Sequence, residues 1–269
     1  THLFTYLTKP NFYGAIIGRL AGVKHIYNSI RSSKLPRWKM VLEKIVTNYF
    51  SSVTIFNSYA GENIFKASGI KKTIVIPNCL PDISTSFKRP QKVKIKIISV
   101  GRFVQEKDYF TAIKSIKELI INTEKFVFQI VGYGPLENKI RSKIAELELE
   151  DTIEIFINPD NIAELLREAD IYLSTSLFEG TSNSIMEAMN ASLPIVATNV
   201  GDNNRLIFEG KNGFLHNVGD YKSIADSLIT LMTDYNKRIE FGIESNRMLK
   251  EHYSCDIFKE KYLKLIEEI

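Results

Sequence analysis

Glu179 and Glu187 stand with seven residues between them in the stretch 177–189, LFEGTSNSIMEAM. An apolar run, IYLSTS, precedes the first acid, and the small polar residues Gly180, Thr181 and Ser182 follow it. A carboxylate buried without partners is costly, so Glu179 behind an apolar strand calls for hydroxyls or a nearby cation. A sugar would supply the hydroxyls. Free N–H groups at the start of the following helix, in a loop of small residues, can hold a phosphate. Glu187, one turn into that helix, can accept hydrogen bonds from a ribose diol. Ser184 followed by Glu187 is also a capping box, in which the acid only satisfies backbone donors.

A second group lies upstream. KIKIISVGR ends a strand at Gly101 and places Arg102 and Lys107 around a helix start. A guanidinium fork and a point-charge ammonium suit a diphosphate. The plainer alternative is a solvated basic loop with Glu106 as partner. A third loop, VGYGPLE, falls short of a dinucleotide fingerprint, because Glu137 stands where the third glycine belongs. It reads either as a tight turn at Gly132 that lets a flat base approach the backbone, or as a plain turn.

The elements that must position these groups follow from periodicity. Short β-branched runs alternate with amphipathic stretches, which points to an α/β fold with parallel sheets. Strands are expected at 2–7, 24–29, 53–57 and 73–77, then, after the irregular linker LPDISTSFKRPQK, at 94–100, 126–132, 152–157, 171–176, 194–198 and 213–217. The second series makes a complete Rossmann-like unit; the first has only four strands. The domains are therefore placed at 1–80 and 81–234, with two closing helices in 235–269 covering the first. In open α/β sheets ligands bind beyond the carboxyl ends of the strands. The loops at 101–107, 132–135 and 179–184 all fall on that edge.

Composition narrows the class. The 269 residues are 44% hydrophobic and 25% charged with a net charge of +4, ordinary for a globular protein. The mild basic excess gives no sign of nucleic-acid binding. Cys79 and Cys255 stand far apart with no CxxC pairing, so neither a disulfide framework nor a zinc site is expected, and a reducing compartment fits. No apolar run reaches the roughly 18–20 residues of a membrane span. The chain opens at Thr1 with what already reads as a strand, so it is expected to enter inside a domain.

VGRFVQEK, IVGYGP, ADIYLSTSLFEGTSNSIMEAM and PIVATNVGDN, with IPN at 76–78, together resemble the retaining glycosyltransferases of family 4, which have the GT-B fold of two Rossmann-like domains. The resemblance implies transfer of a sugar from a UDP- or GDP-linked donor to a saccharide or lipid-linked acceptor in polysaccharide or glycan biosynthesis, without a metal or other cofactor. It puts Arg102 and Lys107 on the donor diphosphate, Glu179 on the donor sugar and Gly180, Thr181 and Ser182 near the phosphates. Glu187 falls on the ribose, and Gly101 and Gly132 beside the nucleotide. Glu179, Arg102 and Lys107 are the residues implied in catalysis.

This chain departs from the family pattern at several points. The first-domain histidine is replaced by YNSIRSS, offering Ser29, Arg31 and Ser32; Cys79 follows IPN in place of glycine; Arg205 stands where the family has an acid; and Asp108 replaces the usual glycine after Lys107. The four histidines read as ordinary residues, His2 being the one near a strand end. The family's opening strands and acceptor-binding loop are expected to lie ahead of Thr1, leaving the first domain incomplete and transfer weak. The basic segment SIRSSKLPRWKMVLEK suits peripheral contact with the inner face of the cell membrane, but a single tryptophan is a thin anchor and a solvated helix is the plainer reading. A cytoplasmic enzyme is expected. Rival readings are a catalytically weak nucleotide-sugar-binding remnant, a GT-B sugar-nucleotide epimerase and, on GYGPLE alone, a nicotinamide-dependent dehydrogenase.

Overall fold

The computed structural model describes residues 2–31, 35–81, 83, 84, 87, 90–120 and 126–267. They form two compact units, Thr1–Cys79 with Tyr253–Ile269, and Leu80–His252.

The first unit runs β1 (His2–Tyr6), α1 (Thr8–Leu20), β2 (His25–Ile30), α2 (Arg37–Tyr49), β3 (Val53–Phe56), α3 (Tyr59–Ala67) and β4 (Thr73–Val75). Its strands pair in the order β1-β2-β3-β4, all parallel. Ser58 caps α3 by accepting the Gly61 N–H at 3.1 Å. His2 stacks on His25 with ring centroids 4.9 Å apart. Ser29 is buried in β2, and the Arg31 guanidinium lies 5.4 Å from the Tyr6 ring centre. Ser32 lies outside the described residues.

The second unit runs β5 (Ile95–Val100), a 3-10 turn (Gln105–Lys107), α4 (Tyr109–Ile120), β6 (Phe126–Gly132), α5 (Glu137–Glu146), β7 (Ile153–Ile157), α6 (Ile162–Glu168), β8 (Ile171–Ser174), α7 (Asn183–Asn190), β9 (Ile195–Thr198), α8 (Asn203–Leu206), β10 (Gly213–His216) and α9 (Tyr221–Thr233). Its parallel strands follow the order β10-β9-β8-β5-β6-β7. This is the doubly wound arrangement in which the chain reverses direction across the sheet between its first and fourth strands. Here those are β5 and β8, paired through Ile97↔Ile171 and Ile98↔Tyr172. Both faces are covered by helices, so the strands are apolar throughout: Ile97, Ile98, Phe128, Ile130, Leu173 and Val196 are fully buried. Ile113, Ile116 and Ile120, three and four residues apart on α4, face this core.

Two helices close the chain, α10 (Tyr235–Tyr253) and α11 (Cys255–Glu267). The expectation places both over the first domain; the structure divides them. Phe241 of α10 packs in the core of the second unit, and the Arg238 guanidinium donates to the Leu231 carbonyl at 2.6 Å. Leu265 of α11 instead packs with Tyr27, Ile55 and Ile76 of the first unit. The two cysteines, far apart in sequence, come together within the first unit. Both are free thiols, and their sulfurs lie 2.9 Å apart.

Candidate functional site

β5 delivers its loop at the switch point. Gly101 N–H donates to the Val131 carbonyl at 3.0 Å, which carries the ladder one residue past the strand. Arg102 follows, exposed to solvent and without an ion pair among the described residues. Phe103 turns inward and is fully buried, edge-on to Tyr109. After the 3-10 turn, Asp108 takes the left-handed conformation, φ 42° and ψ 54°. Glycine adopts it freely, and Asp tolerates it better than most residues. The Asp108 carboxylate then starts α4 by accepting the Thr111 hydroxyl at 2.6 Å and its N–H at 3.4 Å.

The loop after β6 lies directly against this one. A Cβ on Gly132 would fall 1.9 Å from the Gly101 carbonyl oxygen, so only glycine permits the approach. The Phe103 N–H donates to the Tyr133 carbonyl at 2.7 Å, and Leu136 N–H returns to the Phe103 carbonyl at 3.0 Å. VGYGPLE is thus a strand-to-helix turn locked onto its neighbour.

The loop after β8 completes the group. Thr175 and Ser176 leave the strand, which ends at Ser174. The Thr175 hydroxyl donates to the Asp108 carbonyl at 2.8 Å, and Leu177 N–H donates to the Glu106 carbonyl at 2.8 Å. These bonds bring Glu179 to Lys107. The Lys107 ammonium lies 2.6 Å from Glu179 Oε1, which also accepts the Ser176 hydroxyl at 2.7 Å. Their side chains are only 21% and 12% exposed, so this pair is far better shielded than a surface salt bridge. The partner of Lys107 is thus Glu179, across on the other loop. Gly201, with φ 56°, sits where a Cβ would be 2.2 Å from the Glu179 carbonyl. Asp202 N–H donates to the Gly180 carbonyl at 3.1 Å, and the Thr181 hydroxyl to the Asp202 carboxylate at 2.9 Å.

α7 begins at Asn183 with Ser182 in the cap position, and no side chain caps it. The capping box based on Ser184 therefore does not form, because Ser184 is already inside the helix and Glu187 lies too far along it to reach the cap. Ser184 instead shares a hydrogen bond with Ser182 at 3.2 Å. Burial pushes the Glu187 carboxyl above the usual glutamate range, with Lys107 pulling the other way. Glu187 also lines a cavity of about 420 Å³ with Ser84, Leu166, Arg167 and Asn190.

Two tyrosines that the motifs do not flag belong to the same group. The Tyr109 hydroxyl donates to the Gly101 carbonyl at 2.9 Å and that of Tyr172 to the Val100 carbonyl at 3.2 Å. Burial pushes both hydroxyls well up; the Glu179 charge adds to this in both, and the Glu187 charge in Tyr172. Both phenols stay neutral donors. Their one sequence signal is a hydroxyl-bearing ring at a position where an apolar residue would serve packing equally well.

Residues 83–248 match the family described as Glycosyl transferases group 1. The chain belongs to that family. Within this glycosyl transferases group 1 member, the matched span contains the three loops described above. The amylovoran biosynthesis glycosyltransferase AmsK of Erwinia amylovora is 33% identical over 145 residues, 51% of this chain and 36% of the relative. The poly(ribitol-phosphate) alpha-N-acetylglucosaminyltransferase of Staphylococcus aureus is 29% identical over 227 residues, 82% of this chain and 43% of the relative. The chain spans about a third to two thirds of the length of the curated relatives it matches, 55%, 35% and 36% in three of them and 66% in a fourth. The crystal structure of Anabaena HepE in complex with UDP superposes with a TM-score of 0.87 at 18% identity, covering 99% of this chain and 79% of that one. Two parallel-sheet, Rossmann-like domains of this kind make the GT-B fold.

Proposed function

We propose that the chain carries the donor site of a retaining glycosyltransferase of the family 4 type, which moves a sugar from a UDP- or GDP-linked donor to a saccharide or lipid-linked acceptor in glycan synthesis. The observation that carries this reading is the Lys107–Glu179 pair at 2.6 Å, held between the loops after β5 and β8. In this reading Lys107 and the exposed Arg102 take the donor diphosphate. Gly180, Thr181 and Ser182 border the phosphates at the mouth of α7, and Gly101 and Gly132 lie beside the nucleotide. A diphosphate arriving at Lys107 substitutes for its carboxylate partner and frees Glu179 for the sugar hydroxyls. Glu187, raised by burial and one turn into α7, accepts from the ribose. As the sugar–phosphate bond breaks, negative charge grows on the leaving diphosphate, and fixed cations stabilise it. The UDP in the structurally similar HepE supports a uridine donor.

Transfer from a panel of UDP- and GDP-sugars, with product anomers read by NMR, tests this. Lys107→Ala is expected to lower kcat by about 10²–10³-fold, the scale of losing one stabilising group at a developing charge. Glu179→Ala should abolish transfer, with Glu179→Gln retaining the fold. Donor binding without transfer in every acceptor tried would instead favour a binding remnant, and donor isomerisation needing no acceptor would favour an epimerase.

Among the described residues no helix is long and apolar enough to cross a membrane. The first unit nonetheless supports peripheral contact with the cytoplasmic face. Trp38, Val41, Ile45 and Tyr49 are exposed along one side of α2, and Tyr13, Ile17 and Leu20 along one side of the adjacent α1. Arg37 and Lys44 are exposed on α2 as well. An apolar stripe with flanking cations suits an anionic lipid surface. Flotation with anionic vesicles should carry the chain, and Trp38→Asp with Ile45→Asp should release it; no co-flotation removes the proposal.

A further inference from the structure

We propose that Cys79 and Cys255 form a reversible intrachain disulfide that fastens α11 to the end of the first unit's sheet. Their sulfurs lie 2.9 Å apart, and each residue is only half-buried, so a small oxidant reaches the pair. Their positions give the bond a consequence. The chain leaves the first unit after Cys79 and re-enters it at Tyr253. The bond therefore ties together the two places where the backbone passes out of that unit and back, and closes a loop containing the whole second unit. α11 is already held near its far end, where Leu265 is 6% exposed against Tyr27, Ile55 and Ile76 and its carbonyl accepts the Tyr27 hydroxyl at 3.3 Å. At its near end stands Cys255. A disulfide there secures both ends of one helix.

The reaction is thiol–disulfide exchange with a small-molecule disulfide. One cysteine thiolate attacks the small disulfide and expels one thiol as leaving group. The second cysteine attacks the resulting mixed disulfide and expels the other. The two protein thiols lose two electrons and two protons, and the small disulfide is reduced to two thiols. Burial, and then the neighbouring sulfur, push the Cys79 thiol up to about 11, with Lys259 opposing. Oxidation at neutral pH is accordingly slow, since the thiolate is the attacking species.

The test uses the full chain with glutathione disulfide in mildly alkaline buffer. The chain has two cysteines. Both thiols should disappear on titration in denaturant, intact mass should fall by two hydrogens, and a peptide map should join residues 79 and 255. Dithiothreitol should reverse all three. Cys79→Ser and Cys255→Ser should each trap one glutathione adduct instead. Amide exchange at the start of α11 should slow on oxidation of the wild type and not of either variant. Glutathione adducts on the wild type, a linked pair of chains, or two surviving thiols would each overturn the bond. A bond that leaves α11 exchange unchanged would overturn the fastening.

Discussion

Glu187 carries a cost its neighbours do not remove. Burial raises its carboxyl above the usual glutamate range, and Lys107 offsets this only in part. An acid raised on folding binds its proton more tightly in the native state than in the unfolded one. Its penalty is absent below the ordinary glutamate value, grows as pH rises through the folded value, and is complete above it. Glu187→Gln should therefore raise the unfolding midpoint at neutral pH and leave it unchanged near about pH 4, as thermal scans at the two pH values would read. Donor binding should weaken by about 1.5–3 kcal/mol, the worth of a hydrogen bond to a charged group. Asp108 shows a different compromise, a left-handed residue that also caps α4. Asp108→Ala keeps the backbone strain and loses the cap, costing about 1–2 kcal/mol. Asp108→Gly loses the cap but relieves the strain and should cost less; urea unfolding of the two variants gives the order. Asp108 is visible in the sequence as a departure from glycine, but what it does depends on a φ angle the sequence does not display. Tyr109 and Tyr172 are less legible still. Their partners are carbonyls at the end of β5 and one residue past it, and which elements meet there is a property of the fold.

The strands are legible because each is a short β-branched run bounded by turn residues, and expected and observed limits agree within one or two residues along both sheets. The start of α7 is not. Thr181, Ser182, Asn183 and Ser184 are all competent caps, so residue type alone does not choose among them. The close bond network around Gly180 and Asp202 fixes the choice at Ser182. A similar limit applies to VGYGPLE, where the glycines suggest a ligand but Gly132 and Gly134 first serve contact between two loops. Gly132→Ala tests that role. With a backbone oxygen 1.9 Å from the new Cβ, the two loops must separate. The expected loss is about 1–3 kcal/mol or more, as for other forced overpacking. Because the displaced loop carries Arg102 and leads to Lys107, donor affinity measured by calorimetry should fall as well. Lost stability with unchanged donor affinity would separate the turn from the site.

At the scale of the whole chain, the fold class follows from alternation, but the strand order and the sorting of the last two helices do not. α10 and α11 are both amphipathic, and nothing in either periodicity names the sheet it must cover. Packing decides: Phe241 and Arg238 commit α10 to the second unit, while Leu265, Phe258 and Tyr262 commit α11 to the first. The first unit is consequently built from both ends of the chain, and its cover over Tyr27, Ile55 and Ile76 is supplied after the second unit has been traversed. Leu265→Ala should cost about 2–5 kcal/mol by opening a cavity in that layer. The loss should be confined to one unit. Amide exchange in β2 and β3 should accelerate while β5 and β6, with their separate core, keep their protection. A uniform acceleration in both sheets would mean that the two units unfold as one, and the discontinuous first unit would then have no stability of its own to lose.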